Sequence, residues 1–171
     1  YNFPDSTGAG VCVGIIQFGG GYTSQNLTTS FAANGLSVPT IISYPAGSTN
    51  NPGNNVASIE VVLDSLIVGG VAPGAKQVVY FGNGGTYAGW VNVLSTAVND
   101  AVNNPSVLSI SWASGESTAW NTYGVDAVFQ TAITKGITVI AASGDYGTKG
   151  PSSGSTNPTV CYPAVNPNVL A

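Results

Sequence analysis

Glu60 and Asp64 are the residues of this chain whose setting most calls for a chemical explanation. They interrupt Ser58-Ile59-Glu60-Val61-Val62-Leu63-Asp64-Ser65-Leu66-Ile67-Val68, an almost continuous apolar run, in a chain with only seven acidic residues. If the run is a helix, the two side chains lie one turn apart on the same face as a like-charge pair, which weakens a helix. Desolvating either carboxylate adds a penalty unless it is protonated, paired or hydrogen-bonded. A sequence selected for stability alone would avoid this arrangement, so the pair is read as the chemical centre. The chain has no histidine, so neither a Ser-His-Asp nor a Cys-His arrangement can be completed. A carboxylate assisted by a second carboxylate can serve as general base instead, under acidic conditions. Adjacent helical turns also supply the separation of about 5 Å that a retaining glycosidase pair needs. Against that use, the aromatic residues are scattered in sequence and no sugar platform is tied to the pair.

Asp145 is the third candidate. It follows a predicted strand, at the end where α/β sheets place functional groups, although Gly144-Asp145-Tyr146-Gly147 taken alone reads as an ordinary turn. Asp5, Asp100, Glu116 and Asp126 read as surface or capping acids, with Glu116 close enough to the Trp112 loop to line a cleft. Gly82-Asn83-Gly84-Gly85-Thr86-Tyr87 lies between a strand and a helix as a dinucleotide fingerprint would. Its third glycine position holds Tyr87, however, and no acidic residue stands where a ribose contact belongs. Without histidine and with Cys12 and Cys161 far apart in sequence there is no zinc spacing, and the acids are too few for a convincing calcium cage. No metal site is expected in this chain.

The elements that must position these residues alternate. Residues 11–18 form a nearly all-apolar run ended by Gly19-Gly20-Gly21, the pattern of a central strand buried on both faces. A helix over 24–34 stops at Gly35, and a strand covers 39–44. After a polar stretch, 45–55, the carboxylate helix runs over 55–68 and Ala72-Pro73-Gly74-Ala75 turns into a strand over 76–81. A helix over 88–103, a strand over 107–112, a helix over 119–135 and a strand over 137–142 complete the rhythm. The expectation is a parallel α/β sheet with helices on both faces. Asn168 to Ala171 reads as the start of another strand, so residues 1–171 are expected to be the first part of a larger domain.

Composition narrows the partners. With 43% hydrophobic and 6% charged residues, ionisable groups are far scarcer than the roughly 25% of an ordinary soluble protein. The only cations are Lys76, Lys135 and Lys149, which makes nucleic-acid binding by phosphate neutralisation improbable. So few titrating groups suit an acid-tolerant surface. No apolar run reaches the length of a membrane span. The N-terminus has neither part of a signal peptide, so the chain reads as already processed. Cys12 and Cys161 are either one disulfide or two buried thiols, and Asn26-Leu27-Thr28 is the only N-glycosylation sequon.

Several motifs in order resemble the sedolisin family of serine-carboxyl peptidases, in which glutamate replaces the histidine of a subtilisin-like fold. Tyr1-Asn2-Phe3-Pro4 is similar to the start of the mature catalytic domain, and Gly14-Ile15-Ile16 with Gly19-Gly20-Gly21-Tyr22 to its first strand and turn. Glu60-x-x-x-Asp64 with Ala72-Pro73-x-Ala75 resembles the catalytic helix and the strand after it. Ser109-Ile110-Ser111-Trp112 resembles the substrate-binding edge strand, Ala141-Ala142-Ser143-Gly144-Asp145-x-Gly147 the oxyanion-aspartate loop, and Tyr162-Pro163-Ala164 the segment that follows.

The resemblance implies an acid-active endopeptidase with Glu60 as the base for a serine, Asp64 as its partner and Asp145 as oxyanion donor. It also implies substrate paired along Ser111, Trp112, Ala113 and Ser114. The serine, in a Gly-Thr-Ser motif, and a calcium loop would lie in the rest of the domain, on a second chain. The implied setting is a secreted or acidic vesicular, lysosome-like compartment. Gln17 stands where some members carry a glutamate that extends the carboxylate network toward the tryptophan matching Trp112, and Ala113 replaces a glycine. A non-catalytic binding module on the same fold is the alternative.

Overall fold

A computed structural model describes residues 5–53, 55–152, 154 and 157–171. The resemblance seen at residues 1–4 lies outside them. The elements are β1 (Cys12–Gln17), α1 (Ser24–Ala33), β2 (Ile41–Pro45), α2 (Val56–Val71), β3 (Lys76–Phe81), α3 (Tyr87–Val98), β4 (Val107–Ile110), β5 (Ser114–Gly115), α4 (Ala119–Thr122), α5 (Val125–Thr134), β6 (Thr138–Ala141) and β7 (Cys161–Tyr162). Five strands form one sheet in the order β2-β3-β1-β4-β6, and every neighbouring pair in it is parallel. β5 and β7 form a separate antiparallel ribbon, with Ser114 opposite Tyr162.

Alternation along the strands divides the core in two. Cys12, Ile16, Val78, Tyr80, Leu108, Ile110, Val139 and Ala141 point to one face, where Trp90 and Leu94 of α3, Trp120 of α4 and Phe129 of α5 cover them. On the other face Val13, Ile15, Val79 and Phe81 pack with Val61 of α2. That second layer stops short. In the register Val107↔Thr138 and Ser109↔Ile140, the β4 and β6 positions on this face include exposed Thr138 and Ile140, the latter 39% accessible. The outer side of α2 is also bare and apolar, with Ile59, Leu63 and Ile67 exposed.

Local chemistry sets the helix ends. The side chain of Asn55 accepts from the Ser58 N–H at 2.9 Å and starts α2, and Thr23 and Asn26 form a reciprocal capping box at α1. The single helix expected over 119–135 is two, because Gly124 takes a left-handed φ of 85° between α4 and α5. α3 ends at Val98 and not at 103, because Asp100 gathers the Val102 and Asn103 N–H groups and closes a turn there. Asp100 is therefore no surface acid: it is buried and also accepts from the Tyr80 hydroxyl at 2.9 Å. Burial alone would raise its pKa, but these donors and the Asn103 amide hold it below the usual range. Asp126 is half-buried and accepts from Tyr162 and Asn166, whereas Asp5 and Glu116 are exposed as expected. Both cysteines are free and buried, and Leu170 forms an isolated parallel bridge to Ile140 where another strand was expected to begin.

Candidate active site

Three segments converge at the carboxyl ends of β1 and β4. The exit from β1 presses on the first turn of α2, where a Cβ on Gly20 would come within 2.4 Å of the Ala57 and Ser58 backbone. Gly20 itself has φ 66°, a conformation that glycine adopts without penalty. This close approach sets α2 over the end of β1 and points Asp64 at the sheet.

Asp64 accepts on both oxygens: from Gln17 Nε2 at 2.5 Å on Oδ2 and from the Ser111 hydroxyl at 2.8 Å on Oδ1. Gln17 is fully buried, and its Oε1 accepts from the Trp112 indole N–H at 2.9 Å. Burial pushes the Asp64 carboxyl up to about 6 and the neighbouring Glu60 carboxylate adds to the rise, while the Ser111 and Gln17 donors oppose it. A carboxyl so poised exchanges its proton in mild acid, the property a carboxylate base pair requires.

The structure thus brings together Glu60, Asp64, Ser111 and Trp112. Ser111, expected only to bind substrate, also supports Asp64. Asp145 follows β6, the strand beside β4, and is exposed with no hydrogen bond to the carboxylate cluster. Its charge acts on the buried thiol of Cys161. β4 is not an edge strand, since it lies between β1 and β6. Only its continuation, Ser111 to Ser114, runs beyond the sheet, and there one side of Ser114 is taken by Tyr162 of β7.

Sequence reasoning missed the cavity beside this segment. It measures about 520 Å³ and is walled by Phe18, Trp90, Trp112, Ala113, Ser114 and Trp120, with the 83–87 loop opposite. The aromatics that look scattered in sequence therefore converge: Phe18 and Trp90 lie 4.2 Å apart between ring centroids, and Trp90 and Trp120 5.3 Å. The available signal was three tryptophans placed at strand and helix ends. A second cavity of about 710 Å³, lined by Glu116, Ser143 and Cys161, lies beside the Asp145 loop, so Glu116 lines a cleft there and not the one that Trp112 lines.

The description of the subtilase family matches residues 22–171. The chain belongs to the subtilase family. Within that family its likeness is to the sedolisins. It is 41% identical over 179 aligned positions to kumamolisin of Bacillus sp. (strain MN-32), covering 100% of this chain and 32% of that protein. Its fold matches Pseudomonas sedolisin, described as a serine-carboxyl proteinase, with TM-score 0.79 and 30% identity over 97% of this chain and 48% of that one. MycP1 with its N-terminal propeptide removed shares the fold alone, with TM-score 0.64 at 20% identity over 96% of this chain and 56% of that one. The chain therefore spans about a third of kumamolisin and about half of the sedolisin chain.

Proposed function

We propose that this subtilase chain supplies the base, the partner carboxylate and the oxyanion donor of an acid-active serine-carboxyl endopeptidase. The observation that carries the reading is Asp64, held on both oxygens beside Glu60 with its carboxyl pushed up to about 6. Glu60 takes the proton of a serine hydroxyl brought by the remainder of the domain as the oxygen attacks the scissile carbonyl. Glu60 then returns that proton to the leaving amine, and a water repeats the sequence to release the acyl group. Asp145 is the side-chain donor to the oxyanion, a role that typically carries about two to three orders of magnitude in rate. Burial and the Glu60 carboxylate raise the Asp64 carboxyl, so Asp64 holds its proton into mild acid beside the base.

Extended peptide lies along Ser111, Trp112, Ala113 and Ser114 by strand addition, and the aromatic-walled cavity beside them takes a large apolar side chain. The remainder of the domain covers the bare side of β4, β6 and α2. Its support is the exposure of Ile140, Leu63 and Ile67 together with the share of the sedolisin chain left unmatched. Calcium belongs with that remainder. Among the described residues no three His, Cys, Asp or Glu side chains come together to hold a metal, so no step is assigned to calcium here. The low charge suits a secreted or acidic vesicular setting. Among the described residues no helix is long and apolar enough to cross a membrane.

The experiment is intact-mass spectrometry of the complete protein treated with a peptide aldehyde at about pH 4, where carboxylate bases titrate, alongside an assay of acid proteolysis. The expected result is gain of the inhibitor's mass, carried on a segment outside residues 1–171. Absence of both adduct and proteolysis would overturn the reading and favour a binding module.

A further inference from the structure

The hydrogen bonds around Asp64 have a fixed direction, and Gln17 sets it. An indole N–H can only donate, so Trp112 requires the oxygen of the Gln17 amide on its side, at 2.9 Å. The amide nitrogen must then face Asp64 Oδ2, which lies 2.5 Å away. Gln17 is fully buried in β1, so neither end of the amide can turn to water for a substitute partner. Turning the amide would set two donors against each other at Trp112 and leave the two side-chain oxygens facing each other at Asp64.

We propose that Gln17 is a positioning residue that holds Asp64 through Oδ2 and biases the exchangeable proton of Asp64 toward Oδ1. A proton on Oδ2 would leave the buried amide N–H facing a hydroxyl oxygen, a poorer acceptor than a carboxylate or carbonyl oxygen, whereas the Ser111 hydroxyl on Oδ1 can rotate to suit either state. An amide also neither gains nor loses a proton in the working range, so the relay ends at Asp64 and Trp112 serves only to orient the amide. Ser111 completes the arrangement, since a hydroxyl can rotate to donate to Oδ1 or to accept from it. The groups facing Asp64 are Glu60 from its own helix, Gln17 from β1, and Ser111 from the end of β4; of these Glu60 is the charged one. The inference deepens the proposed peptidase reading and rests on it for its functional meaning, but not for its test.

The test is an NMR titration of the complete protein from about pH 3 to pH 8, a range that spans the carboxylates. It follows the Asp64 carboxyl carbon and the Trp112 indole N–H in wild type, Gln17→Met and Gln17→Glu. Loss of a donor to the charged form should raise the apparent Asp64 pKa in Gln17→Met by about one unit or more. Gln17→Glu should add a titration step, which the Trp112 indole follows and which wild type lacks. A purely structural role would lower the melting temperature and leave both titrations in place. An Asp64 titration unmoved in Gln17→Met, or a Gln17→Glu indole whose titration is the same as that of wild type, would overturn the proposal. If the Asp64 titration shifts as expected while the protein hydrolyses no peptide, the peptidase reading fails and the role of Gln17 stands.

Discussion

The two faces of the sheet are built to different ends. Under α3, α4 and α5 the core is one thick layer in which Trp90, Trp120, Phe129 and Tyr162 pack together, with Trp120 and Tyr162 stacked nearly parallel at 4.3 Å. The buried carboxylate there, Asp100, is fully engaged by Tyr80 and the 102–103 turn. Under α2 the apolar layer is thin, and it shares its interior with Gln17, Gln77, Ser58 and Ser65. Gln77 uses its amide to tie β3 to the Ser65 carbonyl, and Asp64 is held half-buried with a raised pKa. Polar groups in an interior stabilise little and cost much when unpaired. The first face holds the fold together, whereas the second gives up packing to keep a carboxylate pair poised.

Breaking the first face should have the largest effect on stability. Phe129→Ala removes a fully buried ring and is expected to cost about 3 to 5 kcal/mol in denaturant unfolding. The Asp64 titration should stay where it is. A shift in that titration would mean that the faces are coupled.

The second face should show itself through pH. The folded-state pKa of Asp64 is raised from 3.8 to about 6, so the native state holds this proton more tightly than the unfolded chain. The Asp64 contribution is therefore fully present below about pH 4 and is lost as pH rises through about 6, a loss of about 3 kcal/mol. Urea unfolding at intervals between those pH values should show stability falling, and the slope should flatten in Asp64→Asn. An unchanged slope in the variant would remove Asp64 as its source.

What was legible in the sequence divides in a similar way. The parallel sheet could be read from short apolar runs alternating with capped helices, and Glu60 and Asp64 stood out because charge in an apolar run is costly. The split of 119–135 turned on the backbone of Gly124, and the end of α3 on how Asp100 spends its oxygens, neither of which follows from periodicity. Asp100 and Asp126 read as surface or capping acids, and their burial went unseen because their partners, Tyr80 and Tyr162, are distant in sequence and meet them only on folding. The aromatic cavity was hidden for the same reason. Gln17 entered the sequence reading only through the resemblance, and its direction could be read only with Trp112 and Asp64 both in view.

The measurement that bears most directly on the carboxylate pair is single-turnover acylation of the complete protein at about pH 4, comparing wild type with Glu60→Gln. Loss of the base should slow acylation by about two to four orders of magnitude, with the thermal midpoint and the contacts of Gln17, Ser111 and Trp112 intact. Acylation at the wild-type rate in a folded Glu60→Gln protein would contradict the assignment of the base and leave the cost of the second face without its chemical reason.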